Sequence, residues 1–238
     1  MSHPRFLLDE AMGGPGLYRL GRLEAHHAVN VLRTRVDDVV VVFDGNGRRA
    51  EAVVVDASKN AVTVRVDMVH EEPRLPLSLT LATAIPKGKR WQSLVEKCTE
   101  LGVDAIIPML TERSVAKGEG DAEKWRRWMI EAAKQSRRSW IPEIVEPVTM
   151  ARVFDWARER DALLFVADGG GESPSCYRDE LMKAKDVVAI VGPEGGLTEE
   201  ELAECVRRGA KAISLSPFVL RVETAAASVC AIIREVVL

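Results

Sequence analysis

Two stretches near the C-terminus hold the residue types that a ligand site needs: Val191-Gly192-Pro193-Glu194-Gly195-Gly196-Leu197 and Leu215-Ser216-Pro217-Phe218-Val219-Leu220. Each reads as an apolar strand running into a Gly- or Pro-bearing turn and then a helix. Glycine lets the main chain approach a ligand closely and adopts dihedrals that other residues avoid. Proline stiffens the turn that contains it. A third turn, Asp168-Gly169-Gly170-Gly171, follows another apolar run. Ligands of open α/β sheets bind beyond the carboxyl ends of the strands, so three such turns can form the walls of one pocket lined largely by backbone. Gly192, Gly195 and Gly196 do not make the G-x-G-x-x-G spacing, and no G-K-[ST] follows them. That excludes the two common phosphate cradles and leaves backbone donors and acceptors offered to a small molecule. The same residues also describe three unrelated strand–helix connections, and spacing alone leaves both readings open.

Alternating strands and helices must position these turns. Strands are predicted at 79–84, 105–109, 162–167, 187–191 and 213–215. Helices are predicted at 89–101, where Leu94, Val95, Cys98 and Leu101 make one apolar stripe closed by Gly102, at 122–139, and at 223–236. A further helix opens on the capping box Thr198–Glu201 and closes at Gly209. This alternation implies a mostly parallel sheet covered on both faces. It begins after Glu71-Glu72-Pro73-Arg74-Leu75-Pro76, whose two prolines break any regular element, so the domains are predicted as 1–72 and 73–238. The first reads as short strands: 39–44 into the hairpin turn Gly45-Asn46-Gly47, a return over 50–56, a turn at Ser58-Lys59-Asn60, and 61–66. With one short helix at 24–32, that suggests a small barrel or folded sheet.

A chain of 238 residues, 47% hydrophobic and 29% charged, supports a sizeable core. The net charge of −3 does not by itself suggest nucleic acid, but the charge is uneven. Residues 76–140 carry 12 Lys/Arg against 8 Asp/Glu, whereas residues 141–238 carry 11 against 17. A locally basic middle on an acidic body fits a phosphate-contacting surface or a plain solvated helix face. Cys98, Cys176, Cys205 and Cys230 form no C-x-x-C pair and read as reduced, mostly core residues. His3, His26, His27 and His70 make no metal-ligand spacing with them, so no metal is expected. With no apolar leader and no run of about 18 apolar residues, neither a signal peptide nor a membrane span is expected, and a cytoplasmic location is.

Motifs along nearly the whole chain carry a resemblance. They are Pro4-Arg5-Phe6, His26-His27 with Val31-Leu32-Arg33, Phe43-Asp44-Gly45, Lys87-Gly88 and Glu96 to Val103. Further on come Glu112-Arg113-Ser114-Val115, Glu131 to Ser136, Pro142-Glu143-Ile144 and the two C-terminal loops. In this order they resemble the RsmE family of 16S ribosomal RNA uridine-N3 methyltransferases, within the SPOUT superfamily. The family's loop usually reads Leu-Gly-Pro-Arg where this chain has Leu215-Ser216-Pro217-Phe218, and it often has Gly where Arg137 stands.

The resemblance implies an α/β fold: a SPOUT-type methyltransferase domain with a deep trefoil knot, preceded by a small PUA-like β-barrel that grips RNA. It implies a homodimer acting on 16S rRNA or the small ribosomal subunit, with S-adenosyl-L-methionine as cofactor. By position in the motifs, Ala167, Asp168, Val191, Gly192, Pro193, Gly195, Gly196, Leu215, Ser216, Leu220 and Thr224 are expected to contact the cofactor. Arg221, directly after the second loop, is the expected catalytic cation, stabilising a uridine anion or else braced by Glu194 or Glu223. Glu194 is the expected orienting carboxylate. Arg5, Arg33, Arg35, Lys87, Arg90, Arg137 and Arg138 are the RNA-binding candidates. Trp91, Trp125, Trp128 and Trp140 are available for base stacking or core packing. A related knotted enzyme acting on tRNA or on a ribose 2′-OH, and a non-catalytic assembly factor, remain the alternatives.

Overall fold

The computed structural model describes residues 3–58, 61–114 and 121–237. Lys59 and Asn60 of the expected turn, and Val115 of the Glu112–Val115 motif, lie outside the described residues. The chain forms two compact units, one of residues up to 74 together with 133–141, the other of 75–132 and 142–238.

The first unit contains β1 (Arg5–Leu7), β2 (Gly16–Arg19), α1 (Arg22–His26) running into a π-helical turn (His27–Val31), β3 (Val39–Phe43), β4 (Arg48–Ser58), β5 (Ala61–Val66) and β6 (His70–Glu71). The sheet order is β1-β3-β4-β5-β2, with β6 on β4. Period-two alternation builds it: Ala50, Ala52 and Val54 of β4 and Val62, Val64 and Val66 of β5 point into one core with Phe6, Leu20 and Val42. A register shift between Val54 and Asp56 bends β4. Among the described residues no pairing closes β1 onto β2, so the expected barrel is a folded sheet with two edges.

Residues 133–141 complete this unit. The Trp140 ring lies so close over Gly47 (φ +90°) that a Cβ there would stand 2.3 Å from it. The indole Nε1 donates to the Glu72 carbonyl at 2.9 Å, and the Arg74 guanidinium stacks 3.9 Å from the ring centroid. Gly47 N–H donates to Ser139 O and Ile141 N–H to Gly45 O. The boundary expected after residue 72 assigns residues 133–141 to the C-terminal part instead.

The second unit contains β7 (Ser78–Ala84), α2 (Arg90–Glu100), β8 (Ala105–Leu110), α3 (Ala122–Ser136, whose last residues belong to the first unit), β9 (Glu143–Ile144), β10 (Val148–Thr149), α4 (Met150–Glu159), β11 (Leu163–Glu172), α5 (Arg178–Leu181), β12 (Asp186–Val191), α6 (Glu199–Arg207), β13 (Lys211–Ile213) and α7 (Val222–Val237). The sheet order is β10-β8-β7-β12-β11-β13, with β9 on β8, and every pairing is parallel. Such strands are buried on both faces, hence the near-continuous apolar runs of β7, β8 and β12. Cys98, Cys205 and Cys230 are buried, and burial pushes the Cys205 thiol up to about 11.

Helix α7 is clamped at its far end. Arg234, 4% exposed, donates to the carbonyls of Leu77 and Gly102 and pairs with Asp104 at 2.6 Å. Asp104 in turn accepts the Leu79 N–H at 3.0 Å. The capping box of α6 is present: Glu201 N–H donates to Thr198 Oγ1 at 3.1 Å, and Thr198 N–H to the Glu201 carboxylate at 2.9 Å.

Three expectations are corrected. Asp168 to Gly171 is not a turn that ends the strand but a bulge inside it: β11 runs on to Glu172, and Ala167 and Glu172 both pair with Ile213 of β13 across the register shift. Gly171 permits this, because a Cβ there would stand 2.4 Å from the Ala212 carbonyl carbon. The last strand is Lys211–Ile213 rather than 213–215, since Ser214 N–H turns to the Glu172 carbonyl and Leu215 enters the loop. Helix α3 stops at Ser136, not 139: Arg137 takes φ +62°, and Arg138 N–H closes back on Ala133 O. That left-handed position accounts for the glycine the resembling family carries there.

Candidate functional site

Beyond the carboxyl ends of β11, β12 and β13 lies a cavity of 320 Å³, contained within the second unit. Of the expected cofactor contacts, Ala167 and Asp168 line it from β11, Val191, Gly192, Pro193 and Gly196 from β12 and its turn, and Leu215, Ser216 and Leu220 from the last loop. Gly195 and Thr224 do not line it. Gly195 turns its carbonyl outward, and Thr224 is exposed on the first turn of α7. Sequence reasoning missed Leu197, Val222 and Ala225, which read as ordinary helix-start residues, and Gly169 and Pro217 to Val219 within the loops it did single out.

The turns are braced from within. Gly196 N–H donates to Pro193 O at 2.8 Å, with Gly196 at φ +70°. Gly192 faces Leu197 so closely that a Cβ would stand 3.1 Å from its Cγ. Ser216, where the family has Gly, spends its hydroxyl inside the loop, accepting the Phe218 N–H at 3.1 Å. Phe218, where the family has Arg, lines the cavity yet is 79% exposed, which places its ring at the rim. Asp168 turns a carboxylate oxygen to the Gly170 N–H at 2.8 Å.

A second layer holds the Gly192–Leu197 turn from outside. Arg113 Nη1 donates to Gly195 O at 2.8 Å and reaches Leu197 O at 3.5 Å. Its neighbour Glu112 donates its N–H to the Glu201 carboxylate at 2.8 Å. Glu194 pairs with Arg90 at 3.3 Å, not with Arg221. Arg221 is exposed, makes no ion pair among the described residues, and offers its carbonyl to the Thr224 and Ala225 N–H groups at the start of α7. Neither Glu194 nor Arg221 lines the cavity. Arg90, expected as an RNA contact, is thus engaged with Glu194, while Lys87 is exposed.

In the first unit, Arg5 donates to the Arg138 carbonyl at 3.2 Å and lies over the Phe43 ring at 5.0 Å. Burial above all, then the neighbouring Arg49 and Arg137 cations, lowers its pKa, with Glu72 opposing. A guanidinium so placed still keeps its charge near neutral pH. Arg5, Arg49 and Arg137 therefore form one positive cluster, of which Arg49 had not been singled out. Arg33 and Arg35 are exposed beyond the π-helical turn, Arg33 at φ +57° and Arg35 with its N–H on Asp38 at 2.7 Å. Trp91 and Trp125 pack edge-to-face at 5.4 Å in the core of the second unit, which removes them as base-stacking platforms. Among the described residues no group of three His, Cys, Asp or Glu side chains is arranged for a metal, and no helix is long and apolar enough to cross a membrane.

Known proteins share this arrangement. A family model described as an RNA methyltransferase domain matches residues 73–234, and one described as an RNA methyltransferase PUA domain matches residues 23–67. The chain is 34% identical to the ribosomal RNA small subunit methyltransferase E of a Synechocystis species, over 85% of this chain and 67% of that relative. It is 33% identical to the protein of the same name from Mycobacterium tuberculosis, over 86% and 80%. The crystal structure of a ribosomal RNA small subunit methyltransferase E from Neisseria gonorrhoeae bound to S-adenosyl methionine superposes with a TM-score of 0.90 at 26% identity, covering 99% of this chain and 98% of that one. A Legionella pneumophila protein solved with the same bound cofactor gives 0.87 at 31% identity, covering 99% and 98%.

Proposed function

The chain belongs to the ribosomal RNA small subunit methyltransferase E family, and from that premise we propose that it methylates N3 of one uridine in 16S ribosomal RNA, using S-adenosylmethionine. The observation that carries this reading is the cavity at the ends of β11, β12 and β13. Its 320 Å³ falls at the lower end of the roughly 300–1,000 Å³ typical of small-molecule sites. Its walls suit a nucleoside with a charged tail: apolar faces from Leu197, Leu220 and Val222, and main chain laid open at Gly169 and Gly196, where an added Cβ would meet nothing. When bound, S-adenosylmethionine supplies a methyl group on a sulfonium cation, which a nucleophilic nitrogen takes while sulfur keeps the bonding pair.

The protein's own task is alignment and charge. N3 of uracil carries a proton and is a poor nucleophile until that proton leaves to solvent. Arg221 is the cation assigned to the resulting anion, since no carboxylate holds it among the described residues. Glu194, committed to Arg90, takes an orienting part rather than that of a proton acceptor. Arg5, Arg49, Arg137 and Arg138, with Arg33, Arg35 and Lys87, take the RNA backbone, and such contacts position a strand without reading it.

The reading extends to a trefoil knot, a homodimer and a cytoplasmic setting. In favour of threading, α7 leaves the edge strand β13 yet packs against α2, β7 and β12. Unpaired, mostly buried cysteines suit a reducing compartment. The test is to incubate the protein with methyl-labelled S-adenosylmethionine and small-subunit RNA, free or as subunit, and digest to nucleosides. Label in 3-methyluridine is expected. Label in a 2′-O-methyl nucleoside, or none with either substrate, overturns the assignment.

A further inference from the structure

The Glu112–Ser114 segment has no task in the reaction as described, although it docks on the turn that forms one cavity wall. We propose that it is a latch for that turn and that Arg113 is a positioning residue for the methyl donor; this rests on the function proposed above.

The turn it holds is rich in glycine and is braced from outside itself. Gly195 and Gly196 are consecutive glycines, and ordering glycine costs more backbone freedom than ordering any other residue. The peptide plane between them decides which way a donor and an acceptor face. Both of its ends are pinned: the Gly196 N–H by Pro193 O at 2.8 Å, and the Gly195 carbonyl by Arg113 Nη1 at 2.8 Å. The second reach of Arg113, to Leu197 O at 3.5 Å, spans the glycine that lines the cavity. With both carbonyls drawn outward to one guanidinium, the plane cannot rotate without breaking a charge-assisted hydrogen bond. The stem of Arg113 also packs here, because a Cβ on Gly195 would lie 3.4 Å from its Cδ.

The latch is itself anchored. Ser114 N–H donates to Thr111 O, and Ser114 Oγ accepts the Thr111 N–H at 2.9 Å, which makes a closed turn at the end of β8. Glu112 N–H then docks on Glu201, the residue that also caps α6 through Thr198. The turn after β8 and the turn after β12 thereby become one rigid piece before any ligand arrives. A pocket ordered in advance does not spend binding free energy on ordering, so the effect belongs to cofactor affinity rather than to the methyl transfer.

The experiment titrates S-adenosylmethionine and, separately, S-adenosylhomocysteine into the full chain and its Arg113→Ala and Arg113→Lys variants, with melting temperatures recorded without ligand. Arg113→Ala is expected to weaken both ligands about tenfold, as loss of preorganisation does. The exposed position should leave melting unchanged. Arg113→Lys, which keeps one donor but loses the fork, should fall between. In turnover assays KM for the methyl donor should rise while kcat at saturation and KM for RNA hold. Wild-type affinity in Arg113→Ala overturns the latch alone, as does a rise confined to the KM for RNA. A wild-type chain that binds neither ligand overturns the latch together with the methyltransferase reading.

Discussion

A guanidinium with no carboxylate beside it responds most strongly to an anion brought near it. Among the described residues Arg221 is in that state, whereas Arg90 is already committed to Glu194. Arg221→Ala should therefore lower kcat by about 10²-fold, the scale lost when one preorganised donor to a developing anion is removed. Cofactor affinity and melting temperature should stay as they are, because the side chain neither lines the cavity nor packs in the core. Single-turnover methylation of small-subunit RNA reads the loss, and unchanged turnover would remove Arg221 from the reaction. Residues of this kind were only partly legible beforehand. Gly192, Pro193, Gly196 and Ser216 announced a pocket because backbone that must approach a ligand leaves glycine, proline and small residues in the chain. Arg49 announced nothing, and Arg113 stood in a motif without a readable role, since both roles come from tertiary approach; Arg113 meets a carbonyl 82 positions away.

Among the elements, β11 is the one whose character composition concealed. Three consecutive glycines signal a turn, and here they form a bulge within one strand, with Gly171 alone pressed on the main chain of the next. Gly171→Ala should destabilise the protein by about 1–3 kcal/mol, as overpacking against fixed backbone does, because the new methyl meets the Ala212–Ile213 main chain at 2.4–2.6 Å. Gly169→Ala, whose methyl meets nothing within 4 Å, is the matched control and should shift the urea midpoint far less. Equal midpoints would show that β13 yields. The long apolar strands and the capping box were readable from local pattern, since burial on both faces and capping both leave short-range signatures. The end of α3 was not, because a left-handed arginine looks like any other in a basic helix.

On the scale of the whole molecule, one buried ion pair fastens the C-terminal helix. Replacing Arg234 with Met leaves Asp104 without its guanidinium and the Leu77 and Gly102 carbonyls without their donor. Breaking a buried pair from one side costs about 3–5 kcal/mol, which urea unfolding would read directly. A loss below 1 kcal/mol would mean the clamp is dispensable. Most of the order of elements was legible because helices and strands alternate beyond residue 76, but β9, β10, α4 and α5 went unread. The membership of residues 133–141 was not, for nothing in their composition separates them from the helix before them. That membership governs synthesis. A nascent chain that has exposed its first 74 residues still lacks the indole that seats on Gly47, so its N-terminal body stays unfinished while much of the next is being made. Vectorial folding from the ribosome, with one domain completed before the next begins, is therefore closed to this polypeptide, and a translational pause before residue 141 would present to chaperones an N-terminal sheet without the Trp140 segment that covers Gly47.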